Sequence, residues 1–300
     1  MIWVNQIVQG VLLGGYYAVL ACGLSLMFGV MRIINLAHGD LAVLAAFLVW
    51  LLTERLGIPL APALILVLAG MAALGVALQR VVLERSLRAG ILVPLLSTFG
   101  LAIVIENLLF EGFGADTRSL APAIGSLAYD SWSISDEIYV GRLSVLIFAL
   151  AVLLLAGLQL LLSRTQLGRA LRATAEDPDT AELVGINSRG VYAAAAAIAV
   201  VTAAIGGVLF AMRAAFAPYA GPSQLIFAFE AVVIGGLSSL WGTLAGGIVL
   251  GVAQSIGAQL DPHGFLIAGH VVFLLVLAIR LALGSAEARG RLRTLLGKSA

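Results

Sequence analysis

Eight stretches of this chain are apolar for long enough to cross a bilayer, and that recurrence limits the fold more than any motif does. They cover about 7–29, 37–52, 60–79, 91–110, 143–162, 191–212, 243–259 and 265–283. A spanning helix needs roughly 20 apolar residues. A ninth run, 225–237, is too short for an ordinary crossing and reads as a half-helix. Inside lipid every backbone polar group needs a partner from the chain itself, so only helices and closed barrels span it. The alternating strands of a barrel are absent. The expected fold is therefore all-α: one polytopic transmembrane bundle over residues 1–300, with about 8–9 membrane segments. Only 11% of the residues are charged, against about a quarter in soluble domains. The 34 glycines suit close helix packing in membranes.

Basic residues give an orientation. All but four of the 17 fall in 30–35, 79–90, 163–190 and 280–300; the exceptions are Arg55, Arg118, Arg142 and Arg213. Cytoplasmic segments collect Lys and Arg, so those four segments and the C-terminus are expected inside. An external N-terminus follows if 225–237 counts as a crossing. The loop 111–142, with Asp116, Asp130, Asp136 and Glu137, then faces outward as a bland external loop or a docking surface. The start "MIWVNQ" lacks a basic leader region, so the first helix is expected to be retained. A net charge of +1 offers nucleic acid no attraction. Cys22 is alone and the three histidines are scattered, so neither a disulfide within the chain nor a metal site is expected.

Polar residues inside the apolar runs are costly and mark function by default. Between the first two runs stands "RIINLAHGD", residues 32–40. Asn35, His38, Gly39 and Asp40 either cap the second helix in cytoplasmic water or break a helix inside the membrane. Backbone breaks at membrane depth are tolerated only where buried in protein or lining a cavity, and paired breaks in two halves of a transporter point to its substrate path. The second half offers a partner around Gly235-Gly236, which makes a weak internal repeat. Glu230 precedes it in "FAFEAVVIGG", and Glu106 lies in "LAIVIENLLF". Each is a cavity carboxylate or one end of an interhelical hydrogen bond. On the cavity reading, a carboxylate meets the ammonium of a zwitterion while amides at a broken helix end meet its carboxyl group. Asn35, His38, Gly39, Asp40, Glu230, Gly235 and Gly236 are thus the candidate substrate path. The spacings Gly242-x3-Gly246 and Gly247-x3-Gly251 mark tight packing faces, within the bundle or toward a second permease.

The loop 163–190, "SRTQLGRALRATAEDPDTAELVGINSRG", is not written like a linker. Thr165 can cap a basic helix that sets Leu167, Ala170, Leu171 and Thr174 on one face. Asp177-Pro178-Asp179 then starts a second helix, with Asp as cap, Pro at the first position and acid near the positive pole. Gly185 supplies a left-handed stop. So short a helix is marginal alone and needs support, from its own bundle or from a partner.

"ATAEDPDTAELVGIN" resembles the cytoplasmic coupling loop of ATP-binding-cassette importer permeases, and "GLSLMFGVMRIINLAHGDLAVLAAF" resembles the matching segment of branched-chain amino acid permeases of the LivH type. "EAVVIGGLSSLWGTLAGG" agrees in order. The resemblance implies a non-catalytic inner-membrane permease subunit. Its implied partners are two cytoplasmic ATPases, a second permease of the LivM type and an external solute-binding protein. It implies no cofactor on this chain, ATP being used by the partner subunits. It also implies that Asp177 through Ile186 transmit force, the capped helix being a rigid lever with Arg169, Arg172 and Glu182 available for ion pairs with the ATPase, and it places Glu176, Pro178 and Gly185 in the same coupling set. Leucine, isoleucine and valine are the first expectation for substrate; similar permeases also carry other amino acids, urea or short amides.

Other classes fit less well. "GKS" at 297–299 lacks the glycine a phosphate loop needs, because position 292 is leucine. Neither the aspartyl nor the serine type of intramembrane protease finds its motif. A carrier driven by an ion gradient suits the breaks and buried acids equally, but it has no use for a capped docking helix.

Overall fold

The computed structural model describes residues 2–90, 92–135 and 138–296. Asp136, Glu137 and the 297–299 stretch, all weighed above, lie outside them. The helices are α1 (Ile2–Met31), α2 (His38–Trp50), α3 (Leu60–Leu78), α4 (Glu84–Ala89), α5 (Val93–Phe113), α6 (Ala121–Ile124), α7 (Arg142–Arg164), α8 (Gln166–Glu176), α9 (Pro178–Leu183), α10 (Ser188–Arg213), α11 (Gly221–Gly235), α12 (Leu240–Leu260) and α13 (Gly264–Leu296). A hairpin of β1 (Ser131–Ser135) and β2 (Ile138–Gly141) interrupts the otherwise helical chain before α7.

Among the described residues, seven helices are long and apolar enough to cross a membrane: α1, α3 with its extension to Leu87, α5, α7, α10, α12 and the first part of α13. A π-helical turn, Gln79–Leu83, carries α3 into α4. Burial separates a centre from a rim. The most apolar window of α1 is 83% buried and that of α13 only 6%. Small residues allow the centre to form. Gly10 and Gly14 of α1 lie against Gly251 and Gly247 of α12, backbone on backbone, the close approach that drives helix association in lipid. Gly242 and Gly246 pack against Gly235 and Ala231 of α11. Both glycine spacings read from the sequence are therefore used inside this chain.

Two elements depart from uniform spans. The 37–52 run holds a helix of only 13 residues, α2, buried on nearly every side. The 225–237 run holds α11, 15 residues long, which is the half-helix its length predicts. Their apolar faces are satisfied by protein, so neither needs full membrane length.

The bundle has two polar ends. Gln9 Nε2 donates to the Tyr139 carbonyl at 2.5 Å, which sets the start of α1 beneath the hairpin. Helices α12 and α10 run antiparallel to α1: Gln6 meets Gln259 at 2.7 Å, Ser25 meets the Leu237 carbonyl at 3.3 Å, and Tyr16 stacks on Phe210. The loop 163–190 therefore lies at the end opposite the hairpin. Arg280 of α13 reaches that same end, donating to the Ile234 carbonyl at 2.9 Å.

Candidate functional site

At the end opposite the hairpin, α8 and α9 form a braced elbow. Thr165 Oγ1 accepts the Gly168 amide at 3.0 Å and starts α8. Gly168 itself sits against the Leu161 and Leu162 carbonyls of α7, where a side chain has no room. Leu171 and Thr174 are fully buried, and Leu167 and Ala170 pack beside the core. Asp177 ends α8 and caps α9. One carboxylate oxygen accepts the Asp179 and Thr180 amides at 3.0 and 3.2 Å, and the other accepts the Thr180 hydroxyl at 2.6 Å. These donors, the Thr180 hydroxyl foremost, hold the Asp177 carboxyl below the usual carboxylate range. Gly185 adopts φ +87°, the left-handed stop. The Ile186 amide closes on the Ala181 carbonyl at 3.1 Å. Ser188 Oγ donates to the Pro178 carbonyl at 3.2 Å and ties α9 to the start of α10.

The elbow is thus anchored on one side and open on the other. Ala181 is buried, whereas Leu183 and Val184 are 87% and 74% exposed. Arg169, Glu176, Asp177, Pro178, Glu182 and Gly185 are exposed and Ile186 is half-buried. Arg172 differs from expectation in one respect: its guanidinium turns back onto the Leu162 carbonyl of α7. Sequence reasoning missed three parts of this site. They are the Gly168 contact, the exposed Leu183–Val184 tip and the Arg189–Glu84 ion pair at 3.1 Å that ties α10 to α4. Only the tip had a local signal, two apolar residues just ahead of a stop glycine.

The second constellation lies inside the bundle. After α1 the chain turns at Arg32, which takes φ +55°, and re-enters the bundle. Asn35 is fully buried; its side-chain oxygen accepts the Ala37 amide at 3.0 Å, turning the chain into α2. Thr98 Oγ1 of α5 accepts the Leu36 amide at 3.1 Å. His38, also fully buried, approaches the Leu20 carbonyl with Nε2 at 2.8 Å. Leu20 lies near the middle of α1, so α2 begins well inside the bundle. A carbonyl only accepts, so Nε2 carries the proton; His38 Nδ1 has no partner among the described residues. The 32–40 stretch is thus a buried re-entrant turn after an unbroken α1, leading into the short α2.

Helix α11 starts at the same place. Gly39 packs on the Gly221 carbonyl, and a side chain at Gly221 would overlap the Asp40 carboxylate. Two helix N-termini, each a positive pole, therefore meet, with the buried Asp40 between them and its Oδ1 unpartnered among the described residues. Glu230, further along α11, is 2% exposed and pairs with His270 Nδ1 of α13 at 2.5 Å, leaving its Oε2 unpartnered among the described residues. Gly235 and Gly236 end α11; Gly236 takes φ +110°, and Ser239 Oγ accepts the Gly242 amide at 3.0 Å to start α12. The seven path residues thus divide. Asn35, His38, Gly39 and Asp40 gather at the α2–α11 junction. Glu230 lies along α11, and Gly235 and Gly236 lie at its far end. Gly221, the close-contact residue that makes the junction, was not singled out, because its partner is remote in sequence.

A family described as "Branched-chain amino acid transport system / permease component" matches residues 6–281. The chain is 31% identical over 290 residues to the high-affinity branched-chain amino acid transport system permease protein BraD of Pseudomonas aeruginosa, covering 92% of this chain and 93% of that one. It is 28% identical to LivH of Escherichia coli over 293 residues, with the same coverage, and 28% identical to a probable LivH of Methanocaldococcus jannaschii over 287 residues, 92% and 90% of the two chains. No solved structure matches. With a family match over almost the whole length and relatives aligned end to end, the chain belongs to the permease components of branched-chain amino acid transport systems.

Proposed function

We propose that this chain is the membrane permease of an ATP-driven importer that moves leucine, isoleucine and valine inward. The carrying observation is α9: a helix of six residues, capped at both ends, braced from behind and presenting an apolar tip to solvent. An isolated helix of that length has no reason to be so fully specified unless something seats on it. In this reading two cytoplasmic ATPases bind and hydrolyse ATP, and one of them receives Leu183 and Val184. Arg169 and Glu182 stand beside the tip for ion pairs, while Arg172 stiffens the elbow. The α8–α9 end and the C-terminus are cytoplasmic, in line with the basic residues gathered there. The hairpin end receives a solute-binding protein, and a second permease of the LivM type completes the membrane unit. The junction of α2 and α11 is the moving part of the substrate path, joined to the ATPase end through α1 and α10. Names of the relatives support the substrate class.

The test is purification of the intact protein from its native membrane in mild detergent, with identification of the companions by mass spectrometry and then leucine uptake in proteoliposomes. Two ATPases, a second permease and uptake that requires ATP are expected. Recovery of the chain alone, with uptake abolished by a proton ionophore, would overturn the importer in favour of a gradient-driven carrier.

A further inference from the structure

A cavity of about 270 Å³ opens between the end of α10 and the first turns of α11. Its wall holds one cation, Arg213, three residues with hydrogen-bonding groups, Tyr16, Tyr17 and Gln224, and three phenylalanines, Phe210, Phe227 and Phe265. The Tyr16 hydroxyl donates to Gln224 Oε1, which fixes both side chains. Tyr16 is 3% exposed and Gln224 5%, and Tyr16 stacks on Phe210 at 6.2 Å, so the wall is rigid. Arg213 has no ion-pair partner among the described residues. An unpaired guanidinium at the edge of an aromatic chamber is an arrangement for an anion that carries an apolar group.

We infer that this cavity is a binding site for a free aliphatic α-amino acid on its way from the hairpin face. The α-carboxylate pairs with Arg213, whose planar fork matches a carboxylate with two parallel hydrogen bonds. The aliphatic side chain packs among Phe210, Phe227 and Phe265. The ammonium lies toward the C-terminal pole of α10, which ends at Arg213 and whose carbonyls carry partial negative charge. The volume suits one small molecule, since pockets for larger ligands start at roughly 300 Å³. Entry is through a second cavity of about 150 Å³ that shares Tyr16, Arg213 and Phe265 and reaches Gln9 beneath the hairpin. Gln224 and Phe227 lie in the first two turns of α11, so a bound amino acid sits beside the junction of the two half-helices. The inference rests on the importer reading and adds to it a station on this chain that itself selects for a carboxylate.

The test uses the whole transporter in lipid nanodiscs without the solute-binding protein, and saturation-transfer NMR with leucine and with leucinamide, which lacks the carboxylate. The parent is expected to bind leucine about tenfold more tightly than leucinamide, the size of one charged hydrogen-bonded contact. R213Q should abolish that preference, R213K should keep part of it, and F227A should weaken both ligands while keeping it. R213K retains the cation, so it reports on the site even if R213Q fails to assemble. Equal binding of the two ligands by the parent, or a preference unchanged in R213Q, would overturn the inference. In either case leucine uptake by the same complex, once the binding protein is added, tells whether the importer reading survives.

Discussion

Asp177 and Gly185 fix the two ends of α9 by different physics, and each makes its own prediction. Asp177 acts through its charge and its two oxygens. Its folded-state pKa is depressed by the Thr180 hydroxyl and by the amides it caps. A depressed carboxylate contributes stability above its unfolded pKa and loses it as pH falls through the folded value. Order in α9 is therefore expected to be constant from neutral pH down to about 4, the ordinary range of an aspartate, and to fray below it. Amide exchange at Asp179 and Thr180 followed against pH reads this directly. D177N, still a good cap, should retain coupling without the acid fraying. D177A should uncouple ATP hydrolysis from uptake while the bundle stays folded. Gly185 acts through backbone alone, since nothing lies within 4 Å of where its side chain would be. G185N, which tolerates the left-handed region, should behave like the parent. G185V should uncouple like D177A, because a β-branched residue there costs about 1–3 kcal/mol. Normal uptake per ATP in both D177A and G185V would show that α9 is not the lever.

At the scale of elements, α2 and α11 depend on a contact between two backbones. Adding one methyl group at Gly221 drives it into the Asp40 carboxylate and to 2.9 Å from the Asp40 backbone; the carboxylate can turn away but the backbone cannot. G221A is therefore expected to destabilise the bundle by about 1–3 kcal/mol, the usual penalty of overpacking, seen as a lower melting midpoint in detergent. G70A in α3 is the contrast, because Gly70 faces open space and alanine favours the helix by about 1 kcal/mol. Equal effects of the two would mean that the half-helices do not meet. This contact also marks where the sequence stops being informative. The α8–α9 elbow is legible because caps, the proline and the stop glycine are signals within a few residues of the structure they specify. Helix α2 is not, since a helix buried in protein and one facing lipid are both apolar all round. Its sequence reads as a full span, and only its partners reveal a half-helix. Arg213 has the same limitation: on its own it is one of four outward basic residues, and it becomes a site only when it lines one cavity with residues from α1, α11 and α13.

Across the whole molecule, charge and connectivity agree independently. The bias of basic residues is a property of composition, and the antiparallel run of α1 against α10 and α12 is a property of packing. Both separate the hairpin end from the α8–α9 end. The two composite crossings matter here. The re-entrant stretch with α2 returns the chain to the hairpin end, where Arg118 lies over the Trp50 ring at 4.8 Å. The segment with α11 carries it away again, ending beside Arg280. Without the first, the hairpin would no longer share an end with the start of α1; without the second, the Arg280 end of α13 would no longer share an end with the elbow. Cysteines placed at two exposed positions test this directly, with the buried Cys22 left in place as a silent thiol. S126C beside the hairpin should react with a membrane-impermeant maleimide in intact cells. S163C at the elbow should react only after permeabilisation. Labelling of both from outside would break the link between elbow and cytoplasmic ATPase, whereas the expected pattern leaves the Arg213 cavity open to the side from which substrate arrives.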